Sequence, residues 1–225
     1  MKFGVIIPAA GSSRRFGGLR KKPFEDLAGR AVWRRTVEHF LHRDDVSEVV
    51  LVLAADDIKE FRQQFATDLA AMDVVLATGG ATRADSVRNG LAALQQPADF
   101  VAVHDAARPV LTSEGISDVF AAAVQRGAVI PAIAVNSTVK RVNDDDRIEA
   151  TVDRTPLRLA QTPQVFRRDL LEHAYASVAD PSQCTDEASL VESTGASVFV
   201  CEGWPMNIKI TTQADLKLAE LFLQE

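Results

Sequence analysis

Apolar residues in the first 135 positions fall into short dense runs separated by longer stretches of mixed pattern. Residues 4–8, 48–54, 73–77, 100–104 and 129–135 are rich in Val and Ile and barely alternate with polar residues. Strands covered on both faces read this way, whereas a half-exposed strand alternates. Between them, residues 31–41, 58–69, 84–94 and 114–125 repeat their apolar positions at helical spacing, and Thr112 or Ser113 is placed to cap the last of these. Strand followed by helix, repeated four times, predicts an α/β fold with a doubly wound, mostly parallel sheet. Ligands of such sheets bind beyond the carboxyl ends of the strands.

The pattern changes at Asn136. Residues 137–154, STVKRVNDDDRIEATVDR, place β-branched residues on either side of an acidic tip at 143–146, which predicts a β-hairpin. Its strands are too polar for a core, so it is expected to project as an arm. LRLAQTPQVF, residues 157–166, predicts a strand re-entering the sheet. Helices over 168–177 and 187–194, strands over 197–201 and 208–211, and a closing helix over 213–223 complete the chain. With no internal repeat or linker, residues 1–225 form one expected domain, with the arm at about 137–154.

Composition narrows the function. The 225 residues carry a formal net charge of −6, and an acidic chain is a poor general nucleic-acid binder. Two cysteines, Cys184 and Cys201, provide neither a disulfide framework nor metal-ligand spacing. No apolar run approaches the ~20 residues of a membrane span. The expectation is a cytoplasmic protein with no nucleic-acid or membrane partner.

Against that acidic background, PAAGSSRRFGGLRKKP at residues 8–23 collects Arg14, Arg15, Arg20, Lys21 and Lys22 on a small-residue loop directly after the first strand. The loop lacks both the Gly-Lys-Ser/Thr of a Walker A loop and the Gly-x-Gly-x-x-Gly of a dinucleotide site. Backbone amides free to approach an anion, followed by cations, suit a triphosphate. A second small-residue loop, Gly79-Gly80-Ala81-Thr82-Arg83, also follows a strand, with Ser86 one helical turn on. In VHDAARP, residues 103–109, Asp105 is placed where one carboxylate could help hold Mg2+ on phosphate oxygens, while His104 reads as a packed or exposed histidine rather than a base. Lys209, in the apolar stretch NIKIT, is expensive to bury unpaired.

Taken together, the chain resembles the 2-C-methyl-D-erythritol 4-phosphate cytidylyltransferase family. The resemblance runs nearly end to end through PAAGSSRRFG, Lys22, GGATRADSVRNGL, VHDAARP, STVKR, VDRTPLRLAQTPQVF, TDEASLVE and NIKIT. It implies that Pro8, Ala9, Ala10 and Gly11 wrap CTP, and that Arg15 and Lys22 stabilise charge on the α-phosphate. It implies that Gly80 and Ser86 meet the cytosine, and that Asp105 meets Mg2+ or the sugar substrate. Arg108, Thr138, Arg154, Thr162 and Lys209 would hold methylerythritol phosphate, with Thr138 and Arg154 reaching across a homodimer formed through the arm. Departures from the family pattern are Ser13 in place of a common glycine, Ala81 in place of a common acidic residue, and the order Lys21-Lys22-Pro23. Lys22 is taken as the catalytic lysine because it lies seven residues after Arg15 and two before Phe24. Two rival readings are a ribitol 5-phosphate cytidylyltransferase and a catalytically silent nucleotide-binding regulator.

Overall fold

The computed structural model describes residues 1–11 and 22–224, with residue 22 by its backbone alone. β1 (Phe3–Pro8) is followed, after the cationic loop, by a 3-10 turn (Lys22–Phe24) and a small hairpin of β2 (Asp26–Leu27) and β3 (Arg30–Ala31). Then come α1 (Val32–Leu41), β4 (Val46–Leu53), α2 (Ala55–Gln64), α3 (Ala66–Ala71), β5 (Val74–Thr78) and α4 (Arg83–Ala93). β6 (Phe100–Val103), α5 (Ser113–Arg126) and β7 (Ala128–Ala134) close the alternating part. The remainder is β8 (Val139–Val142), β9 (Ile148–Val152), β10 (Arg158–Ala160), β11 (Gln164–Arg167), α6 (Arg168–Ser177), α7 (Glu187–Glu192), β12 (Phe199–Glu202) and α8 (Gln213–Phe222).

The eight-stranded sheet has the order β10-β7-β11-β6-β1-β4-β5, with β12 also paired to β7. β1, β4, β5 and β6 are mutually parallel, β12 is parallel to β7, and β10 and β11 run against their neighbours. The expected doubly wound, mostly parallel sheet is therefore present with an antiparallel insertion. The unbroken apolar runs of β1 and β4 follow from two covered faces. Val5, Ile7, Val49, Leu51 and Leu53 pack with Trp33, Phe40 and Phe120 under α1 and α5. Ile6, Val50 and Val52 pack with Val87, Leu91, Leu171 and Val191 under α4, α6 and α7.

Three sequence expectations are corrected. The helix expected over 58–69 is two helices, α2 and α3, because the chain turns at Phe65, whose ring packs with Phe61 against Trp33. A periodic pattern cannot register a bend that keeps both aromatics on the same side. The strand expected over 157–166 is interrupted at residues 161–163, so β10 and β11 pair with different parts of β7. No strand forms over 208–211: the Ile208 N–H bonds locally to the Met206 carbonyl, and Ile210 makes one bond, to the Ala107 carbonyl. Its β-branched residues instead serve a third apolar cluster with Leu27, Val32 and Ala219. The expected hairpin is present, since β8 and β9 pair only with each other in a separate two-stranded sheet. Among the described residues, no helix is long and apolar enough to cross a membrane.

α4 lies so close to the sheet that a Cβ on Gly90 would sit 2.6 Å from Ile6 Cγ2 and 2.9 Å from Val52 Cγ2. In an open helix, Gly→Ala gains about 1 kcal/mol of helix propensity. Here the added methyl must displace two buried β-branched side chains, and such overpacking costs about 1–3 kcal/mol. Gly90→Ala is therefore expected to lower the urea midpoint; a raised midpoint would mean that the helix can lift off the sheet freely.

Candidate active site

The carboxyl ends of β1, β4, β5 and β6 gather the site. Pro8 ends β1, and the Ala9 N–H bonds to the Val52 carbonyl at 2.8 Å. The Gly79 N–H bonds likewise to the Leu53 carbonyl at 2.7 Å. β4 separates β1 from β5, so the two small-residue loops do not follow neighbouring strands. They meet over its end instead, where a Cβ on Gly79 would lie 2.7 Å from that of Ala10. Among the described residues, no atom lies within 4 Å of a Cβ placed on Gly11. Ser86 is buried, donating its hydroxyl to the Thr82 carbonyl at 2.9 Å and accepting from the Gly80 N–H at 3.1 Å. These two bonds let Ser86 shape the exposed Gly80 loop and leave its hydroxyl one lone pair.

The turn after β6 is braced on all sides. The Thr36 hydroxyl of α1 lies 3.0 Å from the Ala106 carbonyl, and His39 donates Nε2–H to the Pro109 carbonyl at 2.9 Å. His104 is fully buried. Its Nε2 faces the Arg108 carbonyl at 3.0 Å and must donate, since a carbonyl only accepts. Nδ1 is then the acceptor, and the Thr162 hydroxyl, 2.9 Å away, donates to it while accepting the Asp105 N–H at 3.1 Å. Burial pushes His104 down to about 3, against the opposing hydrogen bond to Arg108. It is a neutral structural histidine. Thr162, 4% exposed, thereby spends its only proton on His104.

Asp105 is the hub. Lys209 Nζ lies 2.9 Å and Arg108 Nε 3.4 Å from its Oδ2, while an Arg83 nitrogen lies 3.6 Å from Oδ1. Burial would raise the carboxyl, but Lys209 first, then Arg83 and Arg108, hold it well below the carboxylate range. Both oxygens already face cations, and the described residues contain no group of three or more His, Cys, Asp or Glu side chains able to hold a metal. The donor set around Asp105 therefore does not fit a resident Mg2+, which would add positive charge to three cations.

Sequence reasoning missed the supports. Gln161 exchanges two hydrogen bonds with the backbone of Trp204. Asn207 donates to the Thr162 carbonyl at 2.8 Å, and its own carbonyl accepts from Arg108 at 2.7 Å. The interruption between β10 and β11 thereby pins the segment that carries Lys209. Arg83 ends the second small-residue loop and Glu187 opens an expected helix, and nothing in either local sequence singles it out. Thr138 and Arg154 sit exposed at the base of the arm, where Arg154 donates to the Asn136 carbonyl. Neither joins the ion pairs of Asp105 among the described residues. Arg15 lies outside the described residues, and so does the Lys22 side chain.

Small-residue loops meeting a cluster of three cations at the carboxyl ends of a mostly parallel sheet define an α/β protein built for phosphorylated ligands. The comparisons narrow this class. The profile of the 2-C-methyl-D-erythritol 4-phosphate cytidylyltransferase family matches residues 3–225. A protein of that name from Symbiobacterium thermophilum is 44% identical over 222 residues, covering 98% of this chain and 92% of its own. The structure of 4-diphosphocytidyl-2C-methyl-D-erythritol synthase from Anaerococcus prevotii superposes with a TM-score of 0.84 at 31% identity, covering 100% of this chain and 96% of its own. The Thermus thermophilus 2-C-methyl-D-erythritol 4-phosphate cytidylyltransferase gives 0.80 at 31% identity, covering 100% of both chains. The chain belongs to the 2-C-methyl-D-erythritol 4-phosphate cytidylyltransferase family.

The depressed His104 has a consequence for stability. An unfolded histidine protonates near 6.5, the folded one only near 3. Between those values the unfolded chain binds more protons, so stability falls as pH is lowered, by at most ~1.4 kcal/mol per pH unit from this residue. His39, also pushed down by burial, acts in the same direction. His104→Gln is expected to flatten the loss of stability between pH 6.5 and 4 relative to the parent chain in urea titrations. Identical slopes would show that His104 does not stay neutral.

Proposed function

We propose that this chain joins CTP to 2-C-methyl-D-erythritol 4-phosphate, giving 4-diphosphocytidyl-2-C-methyl-D-erythritol and pyrophosphate, a nucleotidyl transfer of isoprenoid precursor synthesis. The acceptor's phosphate oxygen attacks the α-phosphorus of CTP, the bond from that phosphorus to the bridging oxygen breaks, and pyrophosphate leaves with the electron pair. The nucleophile is already an anion, so no general base is required, in keeping with a His104 whose two nitrogens are both engaged. Catalysis is then positioning and electrostatic stabilisation. The observation that carries the reading is the cationic cluster on Asp105 beside the meeting of the Ala10 and Gly79 loops. Lys209 would receive the acceptor phosphate first, with Arg108 behind it on the same carboxylate. Pro8, Ala9, Ala10, Gly11 and Gly80 would line the nucleotide, and Arg15 and Lys22 would meet the α-phosphate. Mg2+ enters as the counter-ion of the triphosphate, as part of the substrate. The reaction belongs in the cytoplasm, where CTP is made available.

Pyrophosphate release should be measured with CTP or ATP, and with methylerythritol phosphate or ribitol 5-phosphate as acceptor. CTP with methylerythritol phosphate is expected to turn over well ahead of every other pair, to stop in excess EDTA and to resume with Mg2+. Equal use of ATP would remove the cytidylyl assignment, and preference for ribitol 5-phosphate would move the chain to the rival activity.

The arm supports a homodimer. An isolated two-stranded hairpin is marginal in water, and this one exposes Val142 and Ile148. A symmetric partner is the simplest cover, with Thr138 and Arg154 serving the neighbouring site while Lys209 serves its own. Arg154→Ala and Lys209→Ala homodimers are each expected to be nearly inactive. Random subunit exchange makes half the dimers mixed, each with one intact site, so activity should recover toward about a quarter of the parent enzyme. No recovery after verified exchange would return Arg154 to its own subunit's site.

A further inference from the structure

Glu187 is one of the few charged side chains in the interior, 2% exposed at the first turn of α7. A buried carboxylate needs a partner of opposite charge and hydrogen bonds to be tolerated. Its Oε1 accepts from Arg83 at 2.7 Å and from the Tyr175 hydroxyl at 3.2 Å, while Oε2 is buried with no hydrogen-bond partner among the described residues. Burial and the Glu187 charge push the Tyr175 phenol up, so it remains a donor.

The residue is presented rigidly. Asp186 caps α7 in a reciprocal box with Ser189, and Gln164 of β11 clamps the same turn, donating to Asp186 at 2.7 Å and accepting from the Ala188 N–H at 3.0 Å. Arg83 is fixed at its other end by starting α4 directly after the Thr82 cap. A guanidinium is a planar fork, so holding one nitrogen sets the direction of the other. That second nitrogen points at Oδ1 of Asp105, the oxygen that Lys209 and Arg108 leave free.

We propose that Glu187 is a positioning residue for nucleotidyl transfer. Acting through Arg83, it orients the Asp105 carboxylate and hence the ammonium of Lys209 toward the acceptor phosphate. The proposal rests on the functional reading above and deepens it, since it assigns the acceptor half of the site a support running Tyr175–Glu187–Arg83–Asp105–Lys209. A bland alternative is an ion pair that merely ties α4 to α7.

Glu187→Gln, Arg83→Gln and the double variant separate the two. The double variant replaces a buried ion pair by two amides that can still hydrogen-bond, so it keeps the test alive should either single variant fail to fold. KM for methylerythritol phosphate is expected to rise at least about tenfold in Glu187→Gln, with KM for CTP within about twofold. The double variant should be no slower than Arg83→Gln, because Glu187 acts only through Arg83. A folded Glu187→Gln with parental KM for the acceptor, or a double variant restored to parental activity, overturns the proposal. A readout without turnover keeps this apart from the assignment of the reaction. The side-chain carboxyl 13C signal of Asp105 is expected to move in Glu187→Gln while that of Asp215 stays. An unmoved Asp105 signal overturns the inference whatever the acceptor, whereas a moved signal in a chain that fails to use methylerythritol phosphate faults the reaction alone.

Discussion

The carboxylate of Asp105 is the charge on which the arrangement of the site depends. It draws together the start of α4 through Arg83, its own turn through Arg108, and the segment before α8 through Lys209. Opposite charges at about 4 Å attract by ~4 kcal/mol at an effective dielectric of 20, before desolvation is subtracted. Solvent screening of the part-exposed Lys209 and Arg83, and the desolvation of Asp105, offset much of that attraction. Without Asp105 the same three cations would face one another across the cleft. The hydrogen bonds behind it, from the Asp105 N–H to the Thr162 hydroxyl and from Asn207 to the Thr162 carbonyl, hold the backbone that carries the carboxylate.

Much of this fold is legible in the sequence because its strands are covered on both faces. Val49, Leu51 and Leu53 enter one core cluster and Val50 and Val52 the other, so a dense apolar run is the direct signature of their position. The arm is legible for the opposite reason, as Lys140, Arg141 and Glu149 could not be buried. What the pattern hides are features set by a single backbone choice. Phe65 bends a helix without leaving its aromatic neighbours, and Ile208 and Ile210 fill an apolar cluster without pairing as a strand.

The candidate site is legible in proportion to how far its residues depend on local motifs. Asp105 and Arg108 lie in one turn, and their ion pair follows from a spacing of three residues. Arg83 and Glu187 meet across 104 residues, and no short motif announces that pair. Hydroxyls show the same limit. Ser86 and Thr162 each donate to a protein group, and a sequence gives the residue without that partner.

The three cations around Asp105 are not equivalent, and their exposure separates their tasks. Lys209 has 42% of its side chain exposed, Arg83 34% and Arg108 only 12%. Arg108 also donates to the Asn207 carbonyl at 2.7 Å, so turning it toward a ligand would leave that carbonyl only the longer 3.4 Å bond from Gln161. Arg83 is bound by the buried Glu187 and can move little. Lys209 alone combines a point charge on a flexible stem with room to reach outward. An incoming phosphate would therefore be met first by Lys209, while Arg108 and Arg83 keep Asp105 charged and in place. The net positive charge of one left by three cations and two carboxylates, Asp105 and Glu187, is available to that phosphate. This division accounts for a locally attractive cleft in a chain whose formal charge is −6.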